Sequence, residues 1–112
     1  MVKATYWQSG EVLDYKNNTQ IAIEAGTVIA FGLKAGVVGN KINPGEVGAL
    51  HMTGVFFLEK TAQIFQMGQQ VYLANDAVTA DAKTGEANNP LIGYAISEAI
   101  AGDKTVTVKL LG

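Results

Sequence analysis

The sequence predicts an all-β fold, a small β-barrel or sandwich, and three observations carry that reading. Glycine recurs at short intervals, 13 times in 112 residues. The runs between glycines are rich in β-branched and aromatic residues and too short for ordinary helices. The last run alternates cleanly, with Val106, Val108 and Leu110 on one face and Thr105, Thr107 and Lys109 on the other.

Taken in order, strands are predicted over residues 11–15, 20–24, 27–31, 36–39, 47–52, 54–59, 70–74, 77–79, 91–97 and 105–111. The turn with the most definite chemistry is Asn43-Pro44-Gly45-Glu46, where proline presets the first central position and glycine accepts the positive φ of a type II turn. Asn17-Asn18, Asn75-Asp76, Thr84-Gly85 and Ala101-Gly102-Asp103 mark further turns, and residues 86–90 read as an exposed loop tip. Only residues 61–67, stopped by Gly68, supply at most one short helix. Residues 25–31 and 67–73 rhyme, each placing a glycine before a strand, but one match is too little to claim a duplication. No linker or charge run divides the chain, which reads as an N-terminal arm, residues 1–10, and a single β domain, residues 11–112.

Composition excludes several function classes. A chain of this length buries one core, roughly two thirds of its unfolded surface. Eight basic residues against ten acidic ones leave a formal charge of -2, and the lysines are scattered singly. There is no arginine, the side chain that best grips phosphates and guanine edges, so nucleic acid is not an expected partner. No stretch approaches the ~20 apolar residues of a membrane span, and the first eight residues lack a signal-like apolar run, so no membrane association and synthesis in a cytoplasm are expected.

Equipment for catalysis is sparse. Without cysteine there is no thiol nucleophile or thiolate metal site. His51 is the only histidine and lies in an apolar stretch, where a structural role is expected. Ser9 and Ser97, the only serines, sit in no nucleophile elbow. Asp76, Asp81 and Glu86 share a loop-rich region but match no calcium loop. Gly32, Gly36 and Gly39 form no phosphate loop, because no helix pattern follows. Asn17-Asn18-Thr19 fits the glycosylation consensus, which means nothing without a secretion signal. The chain is therefore expected to have no enzymatic activity, no cofactor and no metal.

What remains is surface. Tyr6 and Trp7 are large aromatics ahead of the first convincing strand; they either fold back on their own domain or anchor in a neighbour. Residues 54–58 place bulky side chains on both faces, so that strand is either covered on both sides or presented to a partner. Tyr6, Trp7, Val55, Phe56 and Phe57 are the candidate interface residues.

An ordered series of landmarks runs along the chain: the strand after Gly26, Val37-Val38-Gly39, Gly45-Glu46-Val47-Gly48, Thr53-Gly54-Val55-Phe56, Gly68-Gln69-Gln70-Val71-Tyr72, Ile92-Gly93-Tyr94-Ala95 and Val106-Thr107-Val108-Lys109-Leu110. From about Gln8 onward this series resembles the phage capsid-cement family. The resemblance implies a fold similar to the β-tulip or β-clip of lambda-type head decoration proteins. It further implies a virion protein on the outside of an expanded capsid, commonly a homotrimer at threefold or quasi-threefold positions, with the major capsid protein as partner and the N-terminal segment touching the shell. It carries no catalytic residue. The alternative is a small carbohydrate- or ligand-binding β module using Tyr6, Trp7, Tyr72 or Tyr94 as a platform.

Overall fold

The structure, a computed structural model, describes residues 1–75 and 77–111. Its strands are β1 (Val12–Lys16), β2 (Val28–Phe31), β3 (Lys34–Val38), β4 (Val47–His51), β5 (Val55–Glu59), β6 (Gln70–Leu73), β7 (Val78–Thr79), β8 (Lys83–Thr84), β9 (Ala87–Asn88), β10 (Leu91–Ala95) and β11 (Thr105–Leu110). Nine of them form one curled sheet with the path β1-β4-β3-β10-β11-β5, to which β2 adds at β3, β6 at β10 and β7 at β6; β8 and β9 form a separate hairpin. The chain is all-β, as its glycine spacing and alternation predict.

Two predicted elements differ. Residues 61–67 are not helical; their backbone is drawn out by an antiparallel bridge between Phe65 and Ala99, and the Lys60 ammonium donates to the carbonyls of Thr61 (3.1 Å) and Gln63 (2.8 Å). The strand predicted over residues 20–24 contracts to one bridge, Ile23 with Ile42. There the Ile21 carbonyl accepts from Asn17 Nδ2 (2.8 Å) and Thr19 Oγ1 (2.9 Å), side-chain donors in place of a ladder.

The sheet is built twice. In the first unit β1 pairs with β4, β4 with β3 and β3 with β2; in the second β5 pairs with β11, β11 with β10 and β10 with β6. The hydrogen bonds repeat atom for atom. Ile23 and Ile42 exchange both backbone bonds at 2.9 Å, as Phe65 and Ala99 do at 2.8 and 2.9 Å. Gly26 N donates to Val38 O and Gly68 N to Ala95 O, both at 2.7 Å. Met52 N donates to Glu11 O, and Leu110 N to Gly54 O, both at 2.9 Å. The units join where the first residue of β3, Lys34, pairs in parallel with the first residue of β10, Leu91, its own counterpart.

The cores match in the same way. One buried cluster comprises Val38, Ile42, Leu50 and Met52, with Leu13, Tyr15, Ile23 and Ile29 packed against it. Its counterparts Ala95, Ala99, Val108, Leu110, Phe56, Leu58, Phe65 and Val71 all fall in the other cluster. The number of side-chain carbons is conserved across each bridge: an Ile–Ile pair in the first unit becomes Phe–Ala in the second, a large ring on one partner offset by a methyl on the other. The second cluster also takes in Val78 from β7, because the connection between β6 and β10 is long where Gly32-Leu33 alone joins β2 to β3.

Each unit is punctuated by two turns of one design. Thr27 N, Glu46 N, Gln69 N and Asp103 N each donate back three residues, to Glu24, Asn43, Gln66 and Ile100. In three of the four, the side chain of the donor residue also closes the loop: Glu46 Oε1, Gln69 Oε1 and Asp103 Oδ2 each accept from the first residue's N–H at 3.0 Å. Gly45, at φ +82°, fills the left-handed position predicted for it, and Gly68 does the same at φ +87°.

Candidate interaction surface

The two ends of the main sheet path are β1 and β5, and among the described residues β5 pairs with no strand but β11. Gly54 O accepts from Leu110 N and Lys60 N donates to Lys104 O, so the even-numbered positions between them exchange bonds with β11. Val55, Phe57 and Glu59 therefore direct their N–H and C=O groups away from the sheet. β7 covers only the far end of this edge, through the bridge of Val78 to Lys60.

Side chains follow the same alternation. Phe56 and Leu58 turn inward and pack in the larger cluster, Phe56 with its ring centroid 6.4 Å from that of His51. Val55 is 53% and Phe57 78% exposed. The predicted interface strand is thus neither covered on both sides nor wholly presented: Val55 and Phe57 face out, and Phe56 belongs to the core. Beside the edge lies an open groove of about 260 Å³ with Val28, Leu58, Leu73 and Val78 in its lining and Phe57 on its rim. Among the described residues Glu59 is the one charged residue that lines it.

The duplication supplies an internal comparison. Asp14 in β1, opposite Ala49, is the counterpart of Phe57 in β5, opposite Thr107. The same place in the same architecture accepts a carboxylate, so folding does not require an aromatic ring there.

Tyr6 and Trp7 are 83% and 84% exposed, and residues 1–10 are exposed throughout without regular structure. The aromatic pair does not fold back onto its own sheet. Other exposed apolar residues escaped the sequence reading: Ile64, Met67 and Ile100 surround the Phe65–Ala99 bridge, where the first unit has Ala22, Ala25 and Asn43. The repeat makes them visible; in the sequence they are indistinguishable from core.

Several of the residues weighed for chemistry have structural roles. His51 lies against Gly39, leaving no room there for a Cβ. Asn17 is fully buried, its amide bonded to the carbonyls of Ile21 and Ile42, which removes it as a glycan acceptor. Of the candidate calcium ligands, Asp76 lies outside the described residues. Asp81 accepts from Gln63 Nε2 (3.2 Å) and Thr79 Oγ1 (3.3 Å), and Glu86 is exposed. Among the described residues no three His, Cys, Asp or Glu side chains gather as metal ligands. Tyr72 and Tyr94 are half-buried on neighbouring strands, Tyr72 bonded to Gln70 and Tyr94 beneath the Lys109 ammonium at 5.7 Å.

No curated protein and no solved structure matches the chain. A family model described as phage cement protein matches residues 7–110, from Trp7 to the last residue of β11. That span takes in both units, their joining strands and both sheet edges, and it agrees with a molecule whose distinctive features are surfaces: the chain belongs to the phage cement protein family, structural proteins of the virion capsid.

Proposed function

We propose that this protein binds the outer surface of a tailed-phage head as a homotrimer at threefold or quasi-threefold sites, holding neighbouring copies of the major capsid protein together, and that it has no enzymatic activity. The family match over residues 7–110 carries this reading. Physical logic supports it: a cement protein gains affinity from many weak contacts repeated over a lattice, so it needs a stiff body and complementary edges rather than a reactive pocket. A doubled β framework with an apolar sheet edge and an exposed aromatic segment suits that task. Residues 1–10 act as an arm, with Tyr6 and Trp7 as its anchors in the shell or in a neighbouring copy.

The test is co-sedimentation of purified protein with expanded heads that lack it. Full-length protein is expected to pellet with heads at three copies per occupied site, and protein lacking residues 1–10 to remain folded in the supernatant. Full binding by the truncated protein would overturn the role of the arm, and no binding by the intact chain would overturn the capsid assignment.

A further inference from the structure

The open edge of β5 and the exposed N-terminal segment answer each other, and we infer that the segment around Tyr6-Trp7 of one copy docks along β5 of a second copy of this chain. Association of this kind does not depend on the capsid assignment.

Backbone chemistry makes the first half of the case. Val55 and Phe57 present outward N–H and C=O groups in the geometry that accepts an added strand. Five residues of such a strand span ~17 Å, and ten extended residues reach ~33 Å, so the segment is long enough to lie along β5 and still join its own β1.

The side chains make the second half. Successive residues of an added strand point to opposite faces, so Tyr6 and Trp7 would be divided between the two sides of the β5 edge. One side offers the Phe57 ring; the other offers the groove floored by Val28, Leu73 and Val78, whose 260 Å³ admits one indole. Tyr6 lies over Phe57 and Trp7 enters the groove. Charge agrees: Lys3 is the only charged side chain in residues 1–10, and among the described residues Glu59 is the only charged one lining the groove.

The occupant is another copy because the two aromatics remain over four-fifths exposed on their own chain, even though the segment ends at Glu11, bonded to Met52 close to the start of β5. An aromatic pair exposed to that degree, beside an edge strand whose counterpart carries Asp14 in place of Phe57, marks two halves of one contact.

Trp7 is the sole tryptophan and the chain has no cysteine, so both a fluorescence reporter and a cross-link are clean. On raising full-length protein from micromolar to millimolar concentration, Trp7 emission is expected to shift to the blue as the mass from light scattering rises. Phe57→Asp, which copies the residue of the first unit, is expected to need at least tenfold more protein for the same change while keeping its far-ultraviolet spectrum. Mixing a Tyr6→Cys chain with a differently tagged Val55→Cys chain under mild oxidation is expected to give a covalent heterodimer, since both side chains lie on the Phe57 face of the edge, and Lys83→Cys on the β8–β9 hairpin to give none. Emission that is blue at the lowest concentration while light scattering gives the monomer mass would place the segment on its own chain and overturn the inference. So would unchanged emission throughout, association indifferent to Phe57→Asp, or cross-linking to Lys83→Cys as readily as to Val55→Cys.

Discussion

Asn17 and Lys60 occupy the same place in the two units and do the same work with different chemistry. Each follows an edge strand; Asn17 N donates to Glu46 O at 2.9 Å and Lys60 N to Lys104 O at 3.1 Å. Each side chain then donates to a carbonyl in the loop beyond, Asn17 Nδ2 to Ile21 and Lys60 Nζ to Gln63, both at 2.8 Å. Both residues are buried, and the Lys60 ammonium also lies 5.6 Å from the Phe65 ring centroid. Leaving a buried carbonyl without its donor costs about 1–3 kcal/mol. Asn17→Ala is expected to lower the unfolding free energy by that much, read in urea as a lower midpoint with an unchanged slope. Lys60→Met, which keeps the aliphatic stem, is expected to lower it less, by about 1 kcal/mol. Unaltered midpoints for both would refute the shared role.

Gly36 and Gly93 are a second matched pair, and here the units differ in how closely strands approach. A Cβ on Gly36 would come within 2.8 Å of Leu50 Cγ and Met52 Sδ, side-chain atoms with some freedom, and 2.9 Å from the His51 carbonyl. On Gly93 it would run into the Lys109 carbonyl, which is fixed in the β10–β11 ladder. Gly36→Ala is expected to cost about 1–3 kcal/mol as overpacking, and Gly93→Ala more than about 3 kcal/mol. Calorimetric melting would rank the two, and a reversed order would show that the β10–β11 approach is looser than described.

Phe65 and Phe57 should behave as opposites. Phe65 is fully buried at the Ala99 bridge, and Phe65→Ala is expected to cost about 3–5 kcal/mol. Phe57→Ala should change stability by no more than about 0.5 kcal/mol, as exposed positions do. A large loss of stability in the Phe57 variant would assign that ring a folding role and weaken its claim as a contact residue.

The turns give a finer test. Gly45 and Gly68 have positive φ with open space around the missing Cβ, so alanine at either position should cost about 1–2 kcal/mol through backbone strain alone. Gly102, in the matching turn before β11, has equally open space and is not among the positive-φ glycines. Gly102→Ala is expected to be neutral within about 0.5 kcal/mol, which equilibrium unfolding resolves easily.

The parts of this fold that were legible in the sequence are those written locally. The alternation of β11 and the Asn43–Glu46 turn depend on neighbours along the chain, and both appear where expected. The duplication was not legible beyond one rhyme. Its equivalent core positions change both identity and size, as Ile23 and Ile42 become Phe65 and Ala99, and the long connection between β6 and β10 shifts the spacing midway. Orientation was hidden for a similar reason: Phe56 and Phe57 are identical letters, and only their register against Val108 and Thr107 sends one to the core and the other to solvent. Lys60 was hidden too, since a buried lysine is legible only once the carbonyls it serves are in place.

The central claim is that this molecule stabilises a phage capsid, and the most direct measurement is the temperature at which expanded heads lacking the protein break open, followed by release of their DNA, with and without added full-length chain. Capsid stabilisation by this protein predicts a higher opening temperature that saturates once the binding sites are filled. It also predicts little or no gain from the chain lacking residues 1–10. An opening temperature that stays the same at saturating protein would contradict it.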